Sequence, residues 1–108
     1  MPNKDIIELI NKYLFALKEN DIILSKAILF GSHARNEANI NSDIDLLIIS
    51  SLFQDESLEH IGKIWRLTKV VDYKIEPIAI SEKRFYEDTT SPLIELARTE
   101  GIEIPIYS

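Results

Sequence analysis

Asp43 and Asp45 are the two residues of this 108-residue chain best placed to do chemistry. They open the apolar run Leu46-Leu47-Ile48-Ile49, and side chains two apart on a strand leave the same face. Paired carboxylates repel unless a cation lies between them, and oxygen-rich sites of this kind suit Mg²⁺. Upstream, with ten residues between, Gly31 and Ser32 end a second apolar run, Ala27-Ile28-Leu29-Phe30. Glycine takes backbone conformations closed to other residues. Ser32 predicts an N-cap for a short helix through Ala34 and Arg35. A helix start there aims free N–H groups and a positive dipole end outward, a setting that suits phosphate. Phosphate cradle and cation site together are equipment for moving a nucleotide. Arg35 has two readings: charge-assisted bonds to the same phosphates, or a surface ion pair with Glu37.

These residues need elements to hold them. Ile6, Ile7, Ile10, Tyr13, Leu14 and Leu17 recur at three- and four-residue steps, predicting a sheet-covering helix from a cap near Asn3 to about Glu19. Asn20-Asp21 is its expected stop. Ile22 to Phe30 leads into a first central strand, with a turn at Ser25-Lys26. The second strand is expected over Asp43 to Ser50, buried on both faces where it is continuously apolar. Ser51 to Ser57 reads as a connector whose Asp55 and Glu56 suit a helix start. The helix then runs from about Leu58 to Val70, with Leu58, Ile61, Ile64, Trp65 and Thr68 on one side and Trp65 as a core anchor. His60 reads as a surface histidine, and His33 receives no role.

Asp72 through Ile80 reads as a third strand, and Pro77 within it demands an edge position or a bulge. Glu76, between Ile75, Pro77 and Ile78, is an expensive place for an unpaired charge. Ser81 caps a short helix through Tyr86, and Ser91-Pro92 starts another that Gly101 ends. Ile102 to Tyr107 completes the pattern as a last strand whose Ile102, Ile104 and Ile106 alternate.

Composition narrows the function. The length fits one domain over residues 1–108. Hydrophobic content of 45% with 28% charged residues is that of a soluble globular protein. Without cysteine there is neither a disulfide framework nor a thiolate metal site. No apolar run reaches membrane-helix length, so a cytoplasmic location is expected. A net charge of −6 argues against a sequence-independent grip on nucleic acid. That leaves a small nucleotide as substrate.

Gly31-Ser32, ten residues, then Asp43-x-Asp45 and an apolar run resembles the polymerase β-type nucleotidyltransferase superfamily. Within it, the short chain is similar to the minimal nucleotidyltransferases (MNT) that partner HEPN-domain proteins, including MntA-like antitoxins. Members commonly carry glycine after the arginine where this chain has Asn36, and asparagine tolerates the left-handed region better than most residues. The resemblance implies an α/β (α+β) fold with a palm-like mixed sheet and helices packed mainly on one face. It implies transfer of a nucleoside monophosphate, AMP from ATP, to a hydroxyl, with a tyrosine of a HEPN toxin as acceptor. Asp43 and Asp45 would be catalytic and hold two Mg²⁺ ions, with Gly31, Ser32 and Arg35 binding the nucleotide. The family takes a third carboxylate from the strand after the helix. Glu76 is the preferred match, as catalytic and metal ligand, and Asp72 its competitor. A non-catalytic module that neutralises its partner by association is the alternative, and pairing into homo- or hetero-oligomers is open to it.

Overall fold

A computed structural model of the chain describes residues 3–39, 41–54, 58–71 and 74–106. Four strands, β1 (Lys26–Phe30), β2 (Ile44–Ile49), β3 (Ile75–Ile80) and β4 (Ile102–Ile104), form one sheet in the order β3-β2-β1-β4. β1 runs antiparallel to both β2 and β4, whereas β2 and β3 are parallel. The sheet is therefore mixed, as expected. A parallel pair needs a long crossover, and α2 (Leu58–Val71) supplies it. No helix among the described residues is long and apolar enough to cross a membrane.

The continuous apolar run of β2 is explained by burial on both faces. Ile44, Leu46 and Ile48 join Ala27, Leu29 and Ile75 under α1 (Lys4–Glu19) and α2. Leu47 and Ile49 face the other way, with Ile28, Phe30 and Ile80, against α3 (Glu82–Glu87) and α4 (Pro92–Glu100). The two long helices thus take one face and the two short ones the other.

Most element ends follow from local chemistry. Asn3 caps α1 by accepting from the Asp5 N–H at 2.7 Å. The same helix closes with Asp21 in the left-handed region at φ 65° and the Ile22 N–H on Leu17 O at 2.9 Å. This is a Schellman-type stop made without glycine. Ser81 and Ser91 cap α3 and α4 through the Arg84 and Ile94 N–H groups. Pro77 sits where its missing donor is tolerated, on edge strand β3.

Four expectations need correction, whereas Gly101 ends α4 as expected. β2 starts at Ile44, so Asp43 precedes the strand, and β3 starts at Ile75; Asp72 and Tyr73 lie outside the described residues, as do Asp55, Glu56 and Tyr107. Trp65 is not a core anchor: it is 47% exposed, and α2 buries Ile64 and Thr68 with Leu67 and Val71 behind them. The spacing of Leu58, Ile61 and Trp65 marks a stripe correctly but not which way it faces. His60 is half-buried rather than a surface residue. Gly101 ends α4 with ordinary dihedrals, φ −72° and ψ 155°. Its glycine is required by space, because a Cβ there would collide with Ala97 O and Ile28.

Tyr13 ties the long helices together. Its hydroxyl donates to Ile64 O at 2.8 Å in the buried seam between α1 and α2, and burial pushes its pKa up. Tyr13→Phe removes that bond, leaves Ile64 O with its partner inside α2 alone, and should cost about 1 kcal/mol. A urea titration should show a lower midpoint with an unchanged slope.

Candidate functional site

The strand register brings the residues singled out in the sequence to one end of the sheet. Phe30 is paired with Asp45 across β1 and β2, and Asp45 with Glu76 across β2 and β3. Neighbouring strands lie about 4.8 Å apart, so Phe30, Asp45 and Glu76 form a row, with Gly31 next along the chain and against the Asp45 carboxylate. Alternation along β2 and β3 puts Asp45 and Glu76 on the face shared by Leu47 and Ile78. They stand just beyond the apolar core of that face.

Gly31 shows why this position excludes a side chain. Its φ is +76°, and an added Cβ would overlap the carboxylate of Asp45. A 3-10 turn follows over Gly31–His33, with the Ala34 and Arg35 N–H groups both on Gly31 O at 3.1 Å. Here the expected cap differs: Phe30 occupies the N-cap position and Ser32 lies inside the turn. Among the described residues no hydrogen bond engages the Ser32 hydroxyl. The turn closes at Asn36, whose φ of 62° is the left-handed conformation that a glycine would otherwise supply. The loop returns to the acids through Glu37 N–H on Ser32 O at 2.9 Å and Asn39 N–H on Ser42 Oγ at 3.0 Å.

The acids form an unbalanced cluster. Burial, followed by the charge of Asp43, raises the Asp45 pKa above its ordinary value; a hydrogen bond with Glu76 and the charges of His33 and Arg35 work against that rise. Glu76 is also raised, by desolvation first and then by the charges of Asp43 and Asp45 and the bond to Asp45. The sequence argument for Glu76 rested on its apolar flanks, and the structure adds its pairing with Asp45. Glu76 is an exposed residue, and the charges of Asp43 and Asp45 act on it. Asp43, also exposed, joins them through these charges.

Arg35 takes the ion-pair reading in this structure. Its guanidinium meets Glu37 at 3.2 Å and, from α4, Glu100 at 3.3 Å. Glu100 is 65 residues away, and no sequence signal connects the two. His33 is the other residue that sequence reasoning passed over. It lies near Asp45, with Nε2 3.4 Å from Ser42 O.

A divalent cation fits this cluster on chemical grounds. Among the described residues no three His, Asp or Glu side chains close on a single point. Mg²⁺ does not need such a cage, because it keeps waters and binds through one or two carboxylates plus substrate phosphates. Asp43 and Asp45 offer that pair, and their mutual repulsion is the energy a cation would relieve.

Two outcomes follow from this geometry. Gly31→Ala combines left-handed strain with a clash against Asp45, and should lower stability by about 2 kcal/mol in thermal melts. Because Asp45 and Glu76 hold protons more tightly folded than unfolded, their contribution to stability is lost as pH rises through the raised pKa values. Without divalent cations, the melting temperature should climb as pH falls from neutral through those raised pKa values. Asp45→Asn should flatten that slope.

Comparison with known proteins agrees with the geometry. Residues 10–98 match the family model for the nucleotidyltransferase domain. No curated protein sequence matches the chain significantly. Among solved structures, a nucleotidyltransferase candidate from Sulfolobus solfataricus superposes with a TM-score of 0.63 at 15% identity, covering 90% of this chain and 77% of that one. A chain from a toxin–antitoxin structure with AMP-PNP superposes with a TM-score of 0.59 at 21% identity, covering 94% of this chain and 74% of that one. With residues 10–98 matched by the family model, and the acids and the glycine turn brought together at one sheet end, this protein belongs to the nucleotidyltransferase domain family.

Proposed function

We propose that this chain is a Mg²⁺-dependent nucleotidyltransferase that moves AMP from ATP to a hydroxyl. The acceptor in this reading is a tyrosine of a HEPN-domain toxin, which makes the chain the antitoxin of the pair. The observation that carries the reading is the packing of the Asp45 carboxylate against the bare Cα of Gly31. It sets the acids within reach of whatever the Ser32 turn binds. The structural relative solved as a toxin–antitoxin with AMP-PNP supports an adenine nucleotide and a protein partner.

Asp43, Asp45 and Glu76 would hold the metal, two Mg²⁺ ions in this reading. Bound there, Mg²⁺ supplies neutralisation of the charge that builds on the transferring and departing phosphates. The remaining work falls to the chain. Gly31 leaves its backbone open to phosphate oxygens, and Ser32 donates from its hydroxyl and from an N–H that the first turn leaves without an intrahelical acceptor. One bond forms between the acceptor oxygen and the α-phosphorus while the bond to the β-phosphate bridge breaks. Pyrophosphate leaves with that electron pair. Glu76, with its raised pKa, is the residue to take the acceptor's proton, since a base works best with a pKa nearer the working pH. Arg35 joins the phosphates only by giving up Glu37 and Glu100. Both of those are exposed pairs of the kind worth about 1 kcal/mol or less, so a triphosphate can replace them.

The test is incubation of the protein with Mg²⁺, labelled ATP and the protein encoded by the neighbouring gene. Label should appear on a tyrosine of that protein. Asp45→Asn should reduce the rate by at least about 10²-fold while leaving the fold intact by circular dichroism. Tight association without label would instead assign the chain as a non-catalytic module. No association and no label would reject both readings.

A further inference from the structure

α2 turns a stripe of apolar side chains outward. Leu58 is 85% exposed and Ile61 and Trp65 are also open. Positions 58, 61, 62 and 65 share one side of a helix, so Gly62 makes a notch in this ridge. A glycine in mid-helix costs about 1 kcal/mol relative to alanine. The fold does not ask for it here. A Cβ at Gly62 would meet only the Arg66 guanidinium, at 3.6 Å, an ordinary contact. What a notch permits is close approach of another backbone. Charge on this side is also ordered, with Glu59 toward the N-terminal end and Arg66 and Lys69 toward the C-terminal end. Among the described residues none of these three has an ion pair.

We propose that this face pairs with α2 of a second copy, the two helices crossing antiparallel at Gly62. The argument is self-complementarity. Glu59 and Arg66 lie three and four residues to either side of Gly62, so a two-fold axis there sets each acid beside the arginine of the other copy. Leu58 and Trp65 lie four residues before and three after Gly62, the reverse offsets, so the same axis brings each near the other. Every contact then occurs twice, as an isologous interface requires. One helix face covers less than the roughly 800 Å² per partner of a standard stable complex, so a dimer with Kd of about 10 µM or weaker is expected. This pairing does not depend on the nucleotidyl-transfer reading.

Sedimentation of the full chain between about 5 µM and about 500 µM should show a reversible monomer–dimer equilibrium that salt weakens. Gly62→Gln, which the open space tolerates, should weaken it at least about tenfold while circular dichroism shows helix content retained. Glu59→Arg and Arg66→Glu should each be monomeric alone. Mixed in equal amounts they should dimerise again, because each acid once more faces a cation. A monomer throughout, a dimer indifferent to Gly62→Gln, or single variants whose mixture stays monomeric would each overturn the proposal.

Discussion

The pairing of Phe30 with Asp45 and of Asp45 with Glu76 is the constraint on which the rest depends. Side chains alternate along a strand, so a slip of one residue in either pairing would turn an acid toward the helical layer. The apolar side chains of β2 prevent that slip. Leu46 and Leu47 are both fully buried, on opposite faces, and a slip would force both cores to repack. The like charges at the head of the strand are thus held in register by hydrophobic burial a few residues further on.

This division of labour explains the cost the structure tolerates. Asp45 and Glu76 are driven above their ordinary pKa values, a destabilising arrangement at neutral pH. The core accommodates it because the sheet is covered on both sides. α1 and α2 are joined by Tyr13 to Ile64 O, and α4 is fitted to β1 at Gly101, where only glycine leaves room for Ile28. Strain and charge are concentrated at one end of a well-packed sheet, the pattern expected of a site built for a ligand.

The glycine turn and the acids are distinct devices that share one contact. Gly31 is needed twice over, for its positive φ and for the Asp45 carboxylate beside it. Asn36 then closes the turn in the left-handed region, which shows that the departure from the family's usual glycine leaves the backbone path intact. Arg35 points instead to exposed acids, one of them from α4. In the proposed reaction, phosphate would have to displace these weak surface pairs.

How much of this could be read from the chain depends on the range of the forces involved. Helices α1, α3 and α4 were legible because caps and apolar periodicity are local, set by residues within a few positions of each other. The turn at Gly31 and the edge placement of Pro77 were legible for the same reason: backbone freedom and a missing donor belong to the residue itself. The outward turn of Trp65 was not legible. An apolar stripe shows that a face exists, but which face meets the sheet is decided by the connections at both ends of the helix. The meeting of Glu76 with Asp45, and of Arg35 with Glu100, likewise belongs to tertiary structure alone, because strand order and register join residues that no local rule relates. The sequence by itself determined which side chains could do chemistry, and the packing of the sheet decided which of them share a site.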